Sequence, residues 1–161
     1  MERGRRIEEH AVIGDLHTVA LVAIDGAISF LCKPNFDSPS VFASLLDEEH
    51  GGCFELFAAF DDATHKQLYL PDTNVLLTRF LSPGGVGEVC DFMPIHRDAT
   101  GTYKAGRHQI VRMARAIRGE VRFRMECRPA FDFARRPHKV LIEKRGAIFD
   151  GDGIDLGLIS Q

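Results

Sequence analysis

Tryptophan is absent from this sequence, and tyrosine is rare. The 161 residues include twelve Phe but only two Tyr, Tyr69 and Tyr103. Trp and Tyr combine an apolar ring with a polar hydrogen-bonding atom, which suits them to ligands that present both kinds of surface. A freestanding carbohydrate-binding module uses exposed rings of this kind, so their scarcity argues against that class of protein.

The cysteines and histidines lack the spacings that metal sites need. No CxxC pair occurs, no Cys lies near a His at ligand spacing, and no two His are four residues apart. We therefore expect no metal and no cofactor, with all four thiols buried as small apolar groups. The tightest polar cluster is His10, Asp15 and His17, which we expect on a surface or a turn. The cysteines are Cys32, Cys53, Cys90 and Cys127.

Long apolar runs are also missing. No stretch approaches the roughly 20 apolar residues of a membrane span, and the basic start "MERGRRIEEH" has no apolar segment behind it. We therefore expect no signal peptide, no membrane partner and, by default, a cytoplasmic location. The sequence has neither a GK[ST] phosphate loop nor a GxSxG hydrolase elbow. Its length suits a single domain spanning residues 1–161.

Charge is distributed unevenly around a net value of −3. Residues 1–103 hold 7 Lys/Arg and 16 Asp/Glu, whereas residues 104–145 hold 13 Lys/Arg and 4 Asp/Glu. The basic part could bind an anionic partner, meet an acidic partner domain, or pair with the acidic part inside one domain. Because the total charge is acidic, we do not expect a nucleic-acid partner. The basic stripe comprises Arg112, Arg115, Arg118, Arg122, Arg124 and Arg128.

Short apolar runs separated by turn residues predict strands. In "TVALVAIDGAISFLC" two such runs flank Asp25-Gly26, a pair typical of hairpin turns. A second hairpin is predicted across "PGGVG", and "CFELFAAF" and "VRFRMECRP" alternate as strands do. The segment "HQIVRMARAIRGE" fits either a helix or a strand, and we favour a hairpin with the strand that follows. The pattern predicts an all-β, antiparallel β-sandwich of about ten or more short strands.

The stretch "FLCKPNFDSPSVFASLLD" interrupts this pattern. Pro34 and Pro39 exclude a continuous helix or strand, so we expect a corner between them. After it, a Ser cap and the apolar spacing predict one short helix near residues 39–46. We expect Phe36 to anchor the corner in the core and Asp37 to cap the turn through Ser38 or a following backbone N–H.

Several motifs occur together in a recognisable order. "IEEHAVIGDLHTVALVAIDGAISFLCKPNFDSPSVFASLLD" is followed by "YLPDTNVLLTRF", "GEVCDFMPIH" and "IVRMARAIRGEVRFRMECRPAFDFAR". Over roughly residues 7–140 the chain resembles the N-terminal domain of bacterial and archaeal glycoside hydrolase family 15 proteins, the glucoamylase and trehalase-like enzymes.

The resemblance implies a supersandwich-like β-domain that normally precedes a helical α/α-barrel. In that family the barrel carries two glutamates that hydrolyse α-glucosidic bonds with inversion, as general acid and general base. This chain has no long amphipathic helices, so no catalytic residue is carried over and the isolated chain is expected to be inactive. We expect an N-terminal fragment whose missing barrel is its main partner, and through which the full-length enzyme would meet an α-glucan or trehalose.

The corner is also where the chain departs from the family. Ser29-Phe30 stands where the family usually has Asp-Trp, and Asn35 stands where it usually has Arg. Phe30 keeps only the apolar part of a Trp. Our candidates for the substrate cleft or the domain interface are Asn35, Asp37, Phe30 and Phe36. The alternative function is a freestanding carbohydrate-binding sandwich.

Overall fold

The chain folds almost entirely into antiparallel strands. The computed structural model describes residues 5–97, 99–105 and 108–161, and the side chains of residues 96, 97 and 103–105 lie outside the described part. A single 3₁₀ turn, Ile7–Glu9, precedes the first strand. In chain order the strands are β1 (His10–Gly14), β2 (Val19–Ala23), β3 (Ala27–Cys32), β4 (Ser40–Phe42), β5 (Cys53–Ala58), β6 (Thr64–Tyr69), β7 (Leu76–Ser82), β8 (Gly85–Phe92), β9 (Ile95–Arg97), β10 (Tyr103–Ala105), β11 (Val111–Gly119), β12 (Phe123–Arg128), β13 (Lys139–Glu143), β14 (Gly146–Asp150) and β15 (Asp155–Ile159).

These strands form sheets that pack against one another. The first sheet has the order β1-β2-β3-β5-β12, with β4 paired to β3, and the second has the order β11-β8-β7-β6. A third sheet, β13-β14-β15, follows, and β9 pairs with β10. Strands β1 and β5 of the first sheet approach β7, β8 and β11 of the second. The predicted all-β antiparallel sandwich is confirmed. No helix in the described part of the chain has the length and apolar character to cross a membrane.

The core lies between the facing sheets because apolar residues alternate along the strands. One cluster joins all three sheets through Ile28 and Leu31 of the first, Leu76 of the second and Phe149 of the third. A smaller cluster packs Leu56 and Ala58 of β5 against Phe80 of β7 and Val89 of β8. Both clusters bury side chains that the alternating pattern placed on inward faces.

Two of the three predicted hairpins are present. Gly26 adopts φ = 87° in the turn between β2 and β3, and a side chain there would place its Cβ 2.5 Å from the carbonyl oxygen of Leu56. Glycine is therefore required for both conformation and space. The second hairpin joins β7 to β8 through Pro83 and Gly84, with Ser82 opposite Gly85.

The predicted helix near residues 39–46 is wrong. Residues 40–42 form β4, which pairs with β3, and only a turn follows. On its other side, the carbonyl oxygens of Ser40 and Val41 accept hydrogen bonds from the N–H groups of Asp132 and Ala130. Val41 and Phe42 are both buried. Backbone pairing on both edges outweighs helical spacing, because a helix would lose the hydrogen bonds of this segment to β3 and to residues 130 and 132.

The predicted hairpin between β11 and β12 is also wrong, although both segments are strands. β11 pairs with β8 in the second sheet, and β12 pairs with β5 in the first. The chain therefore crosses from one sheet to the other after Gly119, which has φ = 69°. The sequence signal for a turn at Gly119 was correct, but this turn leads the chain from the second sheet to the first and does not join two paired strands.

Arg112 lies on the inner face of β11 and pairs with an acidic residue of the same domain, which is one of the three arrangements that the charge distribution left open. Its side chain is only 3% exposed and forms a salt bridge with the fully buried Asp91, with Nε 2.8 Å from Oδ1. The guanidinium also donates to the carbonyl oxygens of Phe54, at 2.7 Å, and Gly26, at 2.5 Å, in the first sheet. One side chain thus joins the two sheets and satisfies its buried donors.

Two other polar side chains of the second sheet reach backbone groups of the first. Gln67 on β6 donates to the carbonyl oxygen of Ala23 at 3.0 Å. The hydroxyl of Tyr69 accepts from the N–H of Val12 and donates to its carbonyl oxygen, both at 2.8 Å. Since β1 is an edge strand, Tyr69 also occupies backbone groups that would otherwise be open to another strand.

Arg112→Met should destabilise the fold strongly. It leaves the buried carboxylate of Asp91 without its charged partner, and losses of about 3–5 kcal/mol are typical of such changes. Urea unfolding of the variant measures this loss. The double variant Arg112→Met/Asp91→Leu removes both charges and should be less destabilised than Arg112→Met alone.

Arg124→Met is the matched control for this experiment. Arg124 is exposed on β12, so its loss should change stability by no more than about 0.5 kcal/mol. If Arg112→Met behaved like Arg124→Met, Arg112 would not hold the two sheets together.

Candidate functional site

The corner between β3 and β4 projects from one end of the first sheet. It begins with a cis peptide bond between Lys33 and Pro34. The N–H of Asn35 donates to Ser38 Oγ at 3.0 Å, and the N–H of Ser38 donates to the Asn35 carbonyl oxygen at 3.1 Å. These reciprocal bonds close the turn between Asn35 and Ser38, so the capping role expected of Asp37 belongs to Ser38 instead.

The predicted site residues differ in their surroundings. Asn35 and Asp37 are exposed, and Phe30 is half-buried on β3. Phe36 is 62% exposed, so the expectation that it anchors the corner in the core is wrong. The turn is closed by hydrogen bonds of Asn35 and Ser38, which leaves the Phe36 ring free to point outward. An exposed ring on a hydrogen-bonded turn suits contact with another molecule or domain.

A polar cluster that includes Asp15 lies beside the base of the corner. The carboxylate of Asp15 is buried, and its Oδ1 accepts from the N–H groups of His17, at 3.1 Å, and Thr18, at 3.0 Å. Thr18 Oγ1 donates to the Cys32 carbonyl oxygen at 2.6 Å. This bond ties the Asp15 turn to the strand end from which the corner departs.

The polar cluster consists of Asp15, His17 and His108. The second carboxylate oxygen of Asp15 faces His108. Asp15 Oδ2 lies 3.4 Å from His108 Nδ1, but the two are not aligned, and neither atom has a hydrogen-bond partner within the described residues. The rings of His17 and His108 meet edge to face, with centroids 6.0 Å apart. Asp15 and His17 therefore form a polar cluster as the sequence indicated, whereas His10 bonds elsewhere, to Ser29 Oγ at 2.7 Å.

Lys33 adds an ammonium group to this cluster. Burial lowers the pKa of Lys33 to about 8, although the nearby charge of Asp15 acts in the opposite direction. Local sequence patterns did not indicate Lys33 or His108 as functional residues. Lys33 could have been found from its position between a buried strand and Pro34, but His108 comes from a distant part of the chain. Asp15 is buried, so the imidazole of the exposed His17 is a member of this cluster that a polar partner can reach.

A strained turn lies next to the C-terminal side of the corner. Asp132, Phe133 and Ala134 have φ values of 52°, 56° and 62°, and successive left-handed residues of this kind are costly outside glycine. The N–H of Phe133 donates to Ser40 Oγ at 2.7 Å, which joins this turn to β4. Backbone strain of this kind clusters at functional sites. Its position next to the corner therefore supports a functional role for the corner.

The buried carboxylates of the second sheet have a different role. Glu88 accepts from Arg79 Nε at 2.7 Å and Arg115 Nε at 2.8 Å. Burial alone would raise the pKa of Glu88, but the two arginines outweigh it and hold the pKa below its usual range. The basic stripe therefore partly neutralises acidic residues of the same domain. Acidic residues within the apolar strand β8 were the sequence signal for this arrangement.

Ion pairs also line a shallow depression of about 320 Å³ between β5 and β6. Arg5 lies between Asp25 and Glu55, with donor–acceptor distances of 2.7 Å to each. Across the described residues, no group of three or more potential metal ligands comes together. Cys32, Cys53 and Cys90 are buried as expected, whereas Cys127 is half-buried.

Comparison with known proteins places most of the chain in one family. Residues 2–160 match the family model described as "Trehalase-like, N-terminal". Identity is 32% over 160 residues to a trehalase of Thermoplasma volcanium, covering 97% of this chain and 25% of that protein. It is 30% over 141 residues to a trehalase of Mycobacterium tuberculosis, covering 80% of this chain and 20% of that protein. No solved structure matches significantly.

Trehalase 1 of Sulfolobus acidocaldarius is 45% identical over 87 residues, which cover 54% of this chain and 15% of that protein. The chain therefore spans about a quarter or less of the length of these relatives.

Replacement of Lys33 should reveal its lowered pKa through stability. Below pH 8 the buried ammonium is charged and destabilises the fold, and this penalty is relieved as pH rises from about 8 towards 10.5, because the unfolded chain then binds more protons than the folded one. The stability gained by Lys33→Met over the wild type should be largest at pH 7 and shrink by pH 10. Urea unfolding across this range measures it.

Lys66→Met, at an exposed position on β6, serves as the control and should show no such trend. A Lys33→Met difference that stayed constant or grew with pH would contradict the assignment.

Proposed function

We propose, from the premise that this chain belongs to the trehalase-like N-terminal family, that it is the non-catalytic N-terminal domain of a trehalase-type glycoside hydrolase. The relatives named as trehalases are about four or more times the length of the matched region. The remaining length is sufficient for a separate catalytic domain, to which we assign the chemistry.

The observation that carries this proposal is the state of the buried carboxylates. Inverting hydrolysis needs one carboxyl group with a raised pKa as general acid and a second as general base, on opposite sides of the sugar bond. Glu88 has a lowered pKa between two arginines, and Asp91 is locked to Arg112. Asp15 Oδ1 is committed to backbone N–H groups. These groups stabilise the fold and are not arranged for proton transfer to a sugar.

We further propose that the full-length enzyme belongs to glycoside hydrolase family 15, the glucoamylase and trehalase-like enzymes. It would act in the cytoplasm on trehalose or maltooligosaccharides. In this proposal the domain packs on and stabilises a helical α/α-barrel. The corner faces the barrel, with Phe36 making apolar contact and with Asn35 and Asp37 at the edge of the substrate cleft. Phe30 supports the corner from the half-buried strand beneath it. The exposure of Phe36 supports this orientation.

The isolated chain should release no glucose from trehalose or from maltooligosaccharides. The reason is that the catalytic carboxylates belong to the absent domain. A coupled glucose assay at high protein concentration, with a full-length trehalase as positive control, measures this. Glucose release that persisted through repeated purification would overturn the assignment of a non-catalytic role.

A freestanding carbohydrate-binding module is the second candidate, and the exposed ring of Phe36 is the observation that favours it. Sugar rings stack on exposed aromatic faces, and nearby carboxylate and amide groups can bond their hydroxyls. This candidate needs binding by the isolated chain, whereas the first needs the second domain.

Calorimetric titration of the isolated chain with trehalose and soluble α-glucans separates the two candidates. We expect no heat of binding at millimolar sugar, because one exposed Phe without a facing domain offers little buried area. Binding that disappeared in Phe36→Ala but persisted in Phe133→Ala, an exposed Phe on the neighbouring turn, would favour the binding module instead.

A further inference from the structure

β13 is an edge strand whose apolar residues are exposed. One edge pairs with β14, and no strand lies along the other edge anywhere in residues 5–97, 99–105 and 108–161. Val140, Leu141 and Ile142 are 50%, 59% and 74% exposed. A free edge with successive apolar residues is a template for pairing with another strand.

The sequence of β13, Lys-Val-Leu-Ile-Glu, is complementary to itself in antiparallel orientation. If two copies pair about Leu141, each Lys139 lies opposite Glu143 of the other copy. Val140 then faces Ile142, and Leu141 faces Leu141. Opposite charges and β-branched apolar pairs are the cross-strand combinations that stabilise antiparallel sheets. This single register matches every residue of the strand.

The two faces of β13 are also compatible with this pairing. Val140 and Ile142 lie opposite Phe149 and Ala147 on β14, both of which are buried, so this face of β13 continues the core side of the sheet. Pairing of two copies would extend the same apolar row. Next to it, a depression of about 780 Å³ includes Ile142, Ala147 and Met125 in its wall, so apolar surface remains available beside the row.

The outer face carries the charge matching. Leu141 lies opposite the partly exposed Ile148, and Lys139 and Glu143 share this face because alternate residues of a strand do so. Across a two-fold axis, the Leu141 pair would have a Lys139–Glu143 pair on each side. An isologous contact of this kind closes after two copies.

The edge strands β1, β12 and β15 lack these properties. β1 has backbone groups of Val12 occupied by Tyr69. β12 carries charged residues at alternate positions, Arg124, Glu126 and Arg128, which oppose close pairing with a second chain. β15 would place Asp155 opposite Ile159 if paired about its central Gly157, so its ends do not match.

We propose that this chain forms a homodimer by antiparallel pairing of β13 with β13 of a second copy, which joins the two third sheets into one six-stranded sheet. This inference stands apart from the proposed function, because it depends on the edge of the third sheet and not on any catalytic domain. The partner is a second copy because the charges, side-chain sizes and symmetry of the strand all match its own sequence.

Charge reversal tests the register. Sedimentation velocity from micromolar to submillimolar protein should show a monomer–dimer equilibrium for the wild type. Lys139→Glu alone and Glu143→Lys alone each convert two attractive pairs into two repulsive pairs, and each should weaken association by at least about tenfold. The double variant Lys139→Glu/Glu143→Lys exchanges the charges and should restore association.

Lys66→Glu, the same substitution on the exposed edge strand β6, is the matched control and should associate as the wild type does. Circular dichroism of each variant confirms that the fold is retained. A wild type that stays monomeric throughout the range overturns the proposal. Single charge reversals that associate normally, or a double variant that fails to recover, overturn the register.

Disulfide trapping provides a positional test. Leu141→Cys should form an intermolecular disulfide under mild oxidation because position 141 faces itself across the axis. Val140→Cys should not, because position 140 faces position 142. Background cross-linking should be low because Cys32, Cys53 and Cys90 are buried and Cys127 is half-buried. Equal cross-linking at positions 140 and 141 would contradict pairing about Leu141.

Discussion

The buried side chain of Arg112 connects the two main sheets. Sheet-on-sheet packing through apolar side chains is non-directional, so it brings the sheets together without fixing how one lies over the other. Arg112 adds direction, because its planar guanidinium binds Asp91 on one sheet and the carbonyl oxygens of Gly26 and Phe54 on the other. A shift of one sheet would break these bonds and leave buried polar groups unpaired.

Other polar side chains also link strands of the sandwich through directional hydrogen bonds. Gln67 and Tyr69 extend from β6 to backbone groups of β1 and β2, and Glu88 holds Arg79 against Arg115 across three strands. Acidic residues of the first part of the sequence therefore pair with arginines of the basic part inside one domain, as Glu88 does with Arg115 and Asp91 with Arg112. These pairs offset part of the charge segregation within the domain.

The corner after β3 depends on this frame. It leaves the first sheet at Cys32, whose carbonyl oxygen is held by Thr18, and it returns at Ser40, which is held by Phe133. Between these two anchors the turn exposes Phe36 beside Asn35 and Asp37. A rigid scaffold that presents a few exposed residues is the usual arrangement for a binding surface on a loop. The proposed contact with a catalytic domain uses this arrangement, with the strained turn at 132–134 as its neighbour.

Local sequence determined the features that depend on neighbouring residues: alternating strands, the Asp25-Gly26 turn and the interruption between Pro34 and Pro39. The strand or helix choice at residues 39–46 and the pairing of β11 depended on hydrogen bonds to residues far away in the chain, which local patterns do not contain. Along β11, Arg112 and Arg115 lie on opposite faces because strand side chains alternate, but the sequence does not say which of the two faces is buried. His108 joins Asp15 from a distant part of the chain. Only the tertiary structure decided these outcomes, because the burial of a side chain depends on which strand lies opposite it.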